Sequence, residues 1–129
     1  MIERTFSAEA VNAILNAPTV RPTIGGAGDL DITDLLADQR NICLIDEHGG
    51  MMFAWRGPGV FEVHCFFLAR GKQAIAAAKD MLELMAGALL WAPAPEARKD
   101  VRWFARKVGF LSHGLMDTPE GRCELFVMR

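Results

Sequence analysis

The sequence is short of the features that define several large protein classes. It contains no tyrosine, only three cysteines among 129 residues, and no CxxC or HExxH spacing. Structural zinc sites and disulfide frameworks depend on such cysteine and histidine patterns, so neither is expected. Cys43, Cys65 and Cys123 each lie in an apolar run, which favours buried, reduced thiols.

The chain also lacks an excess of either charge and a long hydrophobic run. Its 14 basic and 16 acidic side chains give a net charge of −2, which argues against general nucleic-acid binding because that usually needs a basic surface. No apolar stretch approaches the ~18 residues of a membrane span. The opening MIERTFSAEA carries acids where a signal peptide would be basic and then apolar. A cytoplasmic protein without a membrane or nucleic-acid partner is therefore predicted.

The composition that remains is typical of a folded domain. Hydrophobic residues make up 51% and charged residues 23% of the chain, which excludes disorder as the main state. Domains commonly run to ~100–200 residues. Residues 1–129 are therefore predicted to form a single domain.

Hydrophobic periodicity and turn signals predict a mixed order of elements: helix, helix, three strands, helix, strand, helix and two strands. Ser7 and Asp31 are placed to cap the first two helices, and the second helix is expected to bury Ile32, Leu35 and Leu36. The predicted strands cover residues 41–45, 51–56, 60–68, 88–92, 110–116 and 122–128.

One helix, beginning at Ala69, lies between the strands at 60–68 and 88–92. Parallel strands need such a crossover, so these two strands are predicted to be parallel neighbours joined by a right-handed connection. The surrounding hairpins are antiparallel. The predicted fold class is therefore α+β (mixed α/β), with helices about one mixed sheet.

The turn after strand 60–68 is a candidate anion site. Ligands of open sheets bind outside the carboxyl ends of parallel strands, and the first amides of a helix are unpaired and carry the positive end of its dipole. Arg70 and Lys72 add charge, while Gly71 allows a close approach to the backbone. Basic residues are also common beside helix starts that bind nothing, so an ordinary loop is the alternative.

Glu62 and His64 are the candidate general base. They lie two residues apart on one strand, hence on one face and roughly 6.6–7 Å apart. Histidine titrates near neutrality, and Glu62 could orient it or relay a proton. The alternative is that neither residue is catalytic and that each has hydrogen-bond partners within the protein or reaches a solvated edge. The opposite face of the strand is expected in the core: Phe61, Val63, Cys65 and Phe67.

Strand 60–68, its basic glycine-containing turn and the following amphipathic helix resemble motif A of the Gcn5-related N-acetyltransferase (GNAT) superfamily. KDVRWFARKVGF (99–110) resembles the motif B helix of that family, which a β-hairpin also follows. The stretch NAILNAPTVRPTIGG (12–26), with the later EHGG, is similar to a subgroup often encoded in phages and prophages. The resemblance covers essentially the whole chain.

The resemblance implies a GNAT-like acyl-CoA N-acyltransferase fold and direct transfer of an acetyl group from acetyl-CoA to a small-molecule or peptide amine. No metal is implied, and a homodimer is an option. His64 or Glu62 would receive the amine proton. The implied cofactor contacts are the backbone of Phe66, Phe67 and Leu68 for the pantetheine, Arg70, Gly71, Lys72, Gln73 and Ala74 for the pyrophosphate, and Lys99 or Arg102 for the adenosine phosphate.

Two parts of the chain depart from the family pattern. Many relatives carry a tyrosine four residues before the motif B glycine, where it protonates the leaving thiolate; this position is Ala105. The turn has Ala69 and Lys72 where Gln or Arg and Gly are usual. The runner-up interpretation is therefore a non-catalytic relative that binds CoA or serves in phage assembly.

Overall fold

The computed structural model describes all 129 residues. Its helices are α1 (Ala8–Leu15), α2 (Thr33–Ala37), α3 (Gly71–Leu84) and α4 (Lys99–Lys107), with a 3-10 turn at Arg21–Thr23. None of them is both long and apolar enough to cross a membrane. The strands are β1 (Glu3–Arg4), β2 (Ile42–Asp46), β3 (Gly49–Gly57), β4 (Val60–Phe67), β5 (Leu89–Pro95), β6 (Leu111–Thr118) and β7 (Gly121–Met128).

All seven strands form one mixed sheet in the order β1-β2-β3-β4-β5-β7-β6. The predicted α+β class, the order of elements and the parallel pairing of β4 with β5 are confirmed. The short strand β1, which pairs antiparallel with β2, is an addition that the sequence pattern did not predict. Every other strand pair is antiparallel.

The helices cover the two faces of the sheet in two pairs. One core joins α3 and α4 to the sheet through residues such as Phe53, Met81 and Phe126, all of which are fully buried. A second core on the other face joins α1 and α2 to the sheet through residues such as Val11 and Phe66. Because side chains alternate along a strand, every residue of β4 points toward one helix pair or the other.

The first two helices begin in different ways. The Ser7 hydroxyl accepts a hydrogen bond from the Ala10 amide at 3.2 Å, so the predicted cap of α1 is confirmed. Asp31 accepts from the Thr33 amide at 3.0 Å, but the residue at the cap position of α2 is Ile32. Within this five-residue helix Leu36 is buried, whereas Leu35 is 47% exposed, contrary to prediction, because so short a helix presents only one narrow face to the core.

The predicted core face of β4 needs one correction. Val63 is buried, and Phe61 and Phe67 pack at the border of the core, but Cys65 is exposed. The reason is that β4 loses its neighbour β5 after Glu62, so the second half of the strand has an open edge. The prediction of buried thiols therefore holds for Cys43 and Cys123 only.

Candidate functional site

A gap opens between β4 and β5 although the two strands are parallel neighbours. They pair only from Val60–Leu89 to Glu62–Trp91. Beyond that point β4 stays with β3 as far as the Phe67–Gly49 pair, whereas β5 follows β7 as far as the Pro95–Cys123 pair. The backbone edge of β4 that faces the gap is therefore unpaired. Such an edge offers amide and carbonyl groups to an extended ligand.

The first turn of α3 lies where β4 ends. Arg70 occupies the cap position in an extended conformation (φ −127°, ψ 163°), its side chain makes no capping hydrogen bond, and the first turn carries no acid. The amides of Gly71, Lys72 and Gln73 precede the first intrahelical bond, and neither the loop backbone nor a side chain accepts from them. The first turn of α3 thus presents unpaired donors and positive potential.

Gly71 shapes the approach to these amides. Its φ of +58° lies in the left-handed region that favours glycine. A Cβ atom at this position would meet no other atom within 4 Å, so the space in front of the backbone is open. Apart from its chain neighbours Arg70 and Lys72, nothing therefore blocks the approach of an anion to the backbone at Gly71.

The turn between β2 and β3 fixes the end of β4 from the other side. The His48 carbonyl accepts hydrogen bonds from the Leu68 amide at 2.8 Å and the Ala69 amide at 3.1 Å. Gly49 and Gly50 pack so closely that a Cβ would lie 2.5 Å from the Phe66 carbonyl oxygen and 2.6 Å from the Leu44 carbonyl oxygen, respectively. The paired glycines that open β3 are therefore required for its close packing against β2 and β4.

Glu62 and His64 lie on the α1/α2 face of β4, at the point where the gap begins. His64 Nε2 contacts Glu62 Oε2, and Arg56 Nη2 lies 3.4 Å from Glu62 Oε1. The Glu62 side chain is 15% exposed and that of His64 is 53% exposed. The hydrogen bond from His64, aided by the charges of His64 and Arg56, holds the pKa of Glu62 below its usual value despite desolvation. Glu62 is therefore an ionised partner that orients His64.

The gap connects this pair with the start of α3. Glu62 and His64 project on one face of the sheet, and α3 packs on the other face. A group threaded between β4 and β5 from the turn at Arg70 would lie beside the unpaired edge of His64–Phe67. A reactive carbon held there could be approached from the side on which Glu62 and His64 stand.

The remaining candidate residues fall into three groups. Phe66 and Ala74 are buried, and the Phe67 ring packs against Phe104 with centroids 5.9 Å apart. Leu68 is 41% exposed, and Arg70, Lys72, Gln73 and Lys99 are exposed. Arg102 is occupied within the protein, since its Nε donates to Glu124 Oε1 and its Nη1 to the Glu96 carbonyl, both at 2.8 Å.

Sequence reasoning missed Arg56 and the exposure of Cys65. A signal for Arg56 exists, because the turn at Gly57-Pro58-Gly59 sets the register that pairs Ala54 with Glu62 and places Arg56 on the same face. No signal exists for Cys65, because the divergence of β5 from β4 follows from the pairing of β5 with β7, at the far end of the sequence.

Comparisons with known proteins identify the fold. No protein-family model matches the sequence, and no curated protein matches it. Among solved structures, the chain is similar to the aminoglycoside acetyltransferase AAC(6')-Ib, in a complex that contains acetyl-CoA, with a TM-score of 0.76 and 16% identity over 98% of this chain and 92% of that one.

Two further solved structures extend this similarity. A mutant of the spermidine N-acetyltransferase SpeG from Vibrio cholerae has a TM-score of 0.74 and 7% identity over 99% and 94% of the two chains. A Desulfovibrio desulfuricans protein assigned to the GNAT family as an acetyltransferase has a TM-score of 0.65 and 13% identity over 100% and 98%. The chain thus has the fold of GNAT acetyltransferases.

Proposed function

We propose that this GNAT-fold protein binds acetyl-CoA and transfers its acetyl group to an amine. The observation that carries the proposal is the uncapped first turn of α3 at the open end of the gap between β4 and β5. AAC(6')-Ib, which shares the fold, has been solved with acetyl-CoA. The proposal includes a cytoplasmic location, a place in the phage and prophage subgroup and the option of a homodimer, all of which are sequence predictions.

In this proposal the pyrophosphate of acetyl-CoA lies against the first turn of α3. The amides of Gly71, Lys72, Gln73 and Ala74 donate to its oxygens, and the exposed side chains of Arg70 and Lys72 add positive charge. The helix dipole acts in the same direction. Most of these contacts come from the backbone. They therefore tolerate Lys72 at the position where the family usually has glycine.

The pantetheine would run along the unpaired edge of β4, beside Phe66, Phe67 and Leu68. The Leu68 amide already donates to His48, so this residue offers only its carbonyl. Lys99, which is exposed at the start of α4, is the better candidate for the adenosine phosphate, because Arg102 is bound to Glu124 and Glu96.

The chemistry that the pair on β4 can support is proton removal from the acceptor. An ammonium group passes a proton to His64, which the ionised Glu62 orients. The free amine nitrogen then attacks the thioester carbonyl carbon, so that a C–N bond forms, the C–S bond breaks and the nitrogen releases its surplus proton to water. CoA leaves as a thiolate and takes a proton from water, since the chain has no tyrosine.

The test has a binding step and a catalytic step. Acetyl-CoA and CoA should both raise the melting temperature, because a ligand that binds only the folded state stabilises it. CoA release should then depend on an added amine, screened among polyamines, aminoglycosides, amino acids and peptides. His64→Ala and Glu62→Ala should each lower that rate by about a hundredfold, whereas His113→Ala, at an exposed site on β6, should not. Equal rates in all variants would remove the proposed base.

A non-catalytic CoA-binding or phage-assembly module is the second candidate. The observation that favours it is the complete absence of tyrosine, which leaves the leaving thiolate without the acid that many relatives supply. This candidate predicts a thermal shift with CoA but no amine-dependent CoA release. A module that binds no cofactor would show neither a thermal shift with CoA nor amine-dependent CoA release.

A further inference from the structure

Two arginines connect the loop between α1 and α2 to both sides of the gap. Arg70 Nη2 donates to the Thr19 carbonyl at 3.0 Å, and Arg98 Nη1 donates to the Thr23 carbonyl at 3.0 Å. Arg70 directly precedes α3 on the β4 side, and Arg98 directly precedes α4 on the β5 side. Residues 19–23, called the strap below, are therefore hydrogen-bonded to Arg70, which follows β4, and to Arg98, which follows β5.

We propose that the strap spans the open end of the gap, that Arg98 is the positioning residue that holds it, and that Arg70 moves from the strap to the diphosphate when the cofactor binds. The second half of this inference rests on the proposed function. The first half concerns the protein without ligand. Cofactor binding would then loosen one end of the strap.

The strap is ordered by its own contacts. Its Val20 side chain is 1% exposed and belongs to the α1/α2 core. The Val20 carbonyl accepts from the Thr23 amide at 2.9 Å and from the Thr23 hydroxyl at 2.6 Å, and the Ile24 amide donates to the Arg21 carbonyl at 3.2 Å. The strap is thus anchored by the Val20 side chain and by the Val20 and Arg21 amides, which both donate to the Ala17 carbonyl, while the two arginines hold the Thr19 and Thr23 carbonyls.

The residues that follow the strap are also fastened. Arg21 Nε donates to the Gly28 carbonyl at 2.6 Å, and its Nη1 donates to the Ile24 carbonyl at 2.8 Å. The Asn16 side chain donates to the Leu30 carbonyl at 2.8 Å and accepts from the Leu30 amide at 2.7 Å. The glycine-rich segment after the strap is therefore fastened to α1 through Asn16 and to the strap itself through Arg21, whereas Arg70 and Arg98 connect the strap to the residues that precede α3 and α4.

The two arginines differ in how firmly they are held. Arg98 forms a bidentate pair with Asp100, with Nε–Oδ1 and Nη2–Oδ2 distances of 3.0 and 2.9 Å, and this pair directs Nη1 toward Thr23. Arg70 has no carboxylate partner, and its one side-chain hydrogen bond is that to Thr19. A diphosphate at the start of α3 would offer Arg70 a charged acceptor in place of a carbonyl, which is the stronger interaction.

The experiment follows amide hydrogen exchange in the strap, first without ligand. Arg98→Gln should speed exchange of the Thr23 and Ile24 amides about tenfold, the loss of one charge-assisted hydrogen bond, and Arg98→Lys should restore part of the protection. Arg40→Gln is the matched control, because Arg40 makes the same bidentate pair with Asp38 but does not contact the strap. Unchanged exchange in Arg98→Gln would overturn the role of Arg98.

The second arm adds CoA at a concentration that saturates the thermal shift. The Val20 and Arg21 amides should then exchange faster in the wild type, whereas in Arg70→Gln they should already be fast and gain nothing from CoA. Binding of CoA without this acceleration would overturn the movement of Arg70 and leave the proposed function intact. Absence of CoA binding would overturn the proposed function and the movement of Arg70 together, while the ligand-free arm still decides the strap.

Discussion

The two halves of β4 have opposite surroundings. From Val60 to Glu62 the strand pairs with β3 on one side and β5 on the other, and from His64 to Phe67 it pairs with β3 alone. The first half completes the sheet, whereas the second half leaves an edge of polar backbone unpaired beside the uncapped start of α3. Backbone groups left open in this way need another partner. The closed half stabilises the fold, and under the proposed function the open half would bind the cofactor.

The largest expected effect is a loss of stability when β3, the only strand that pairs with the open half of β4, is disturbed. Gly50→Val would place Cβ 2.6 Å from the Leu44 carbonyl oxygen and 2.7 Å from Phe66 Cε2, and the backbone contact cannot relax. Overpacking of this kind costs about 3 kcal/mol, so the melting temperature should fall by about 10 °C. Gly25→Val is the control, since a Cβ there meets nothing within 4 Å. Equal melting temperatures for the two variants would contradict the packing account.

A second change tests whether the uncapped helix start serves a ligand. Arg70→Asp puts an N-cap side chain on the extended residue before α3, a gain of about 1 kcal/mol that the lost Arg70–Thr19 hydrogen bond should largely offset. It should weaken CoA binding about a hundredfold through loss of the cation and occupation of the amides. Calorimetric titration and thermal unfolding measure the two effects.

The matched control for this change is Ser7→Ala, which removes the cap of α1. It should cost about 1 kcal/mol of stability and leave CoA binding unchanged. If Arg70→Asp binds CoA like the wild type, the first turn of α3 is not the diphosphate site.

The third prediction uses Cys65 as a probe of the gap. Of the three thiols, Cys65 alone is exposed, whereas burial raises the pKa of Cys43 to about 12. Although the residue is exposed, its sulfur atom is desolvated, which raises the pKa of the Cys65 thiol to about 11, so modification should be slow and should speed up with pH. Mass spectrometry should find one modified cysteine in the native protein, and saturating CoA should slow that reaction about tenfold.

Two results would count against this assignment. Modification that persists in Cys65→Ser would show that another thiol reacts. Modification at the same rate with and without bound CoA would show that the cofactor does not cover the open half of β4.

The smallest effect concerns the boundary between the halves. The hydrogen bond from His64 lowers the pKa of Glu62, so the unfolded chain binds more protons and the stabilisation present above about pH 4 is lost as pH falls further. Glu62→Gln should lower the melting temperature by about 2 °C near neutrality, and this difference should disappear in acid. Glu83→Gln, an exposed site on α3, should show no such pH dependence. A constant difference for Glu62→Gln would contradict the ion pair.

Sequence patterns predicted the fold where local signals decide it. The length and the aromatic and β-branched content of 60–68, the Ser7 cap and the crossover between 68 and 88 led directly to β4, α1 and the parallel pairing. β1 was missed because two exposed residues carry no periodic signal. Leu35 was misassigned because burial in a five-residue helix depends on how α2 sits on the sheet.

The candidate site was predictable to the same extent. Glu62, His64 and the turn at Arg70 follow from position on one strand and one helix start, which are local properties. The connection of Arg70 to Thr19 and of Arg98 to Thr23 joins residues 51 and 75 positions apart. Such contacts depend on the packing of the whole chain, and no residue spacing in the sequence predicts them.

The most direct test of the account is an amide-resolved NMR titration with CoA. The account predicts that the amide protons of Gly71, Lys72 and Gln73 move downfield together and saturate with the binding isotherm, as expected when unpaired donors meet phosphate oxygens, while the capped Ala10 amide does not move. Binding of CoA with these three amides unmoved would contradict the assignment of the first turn of α3 as the diphosphate site.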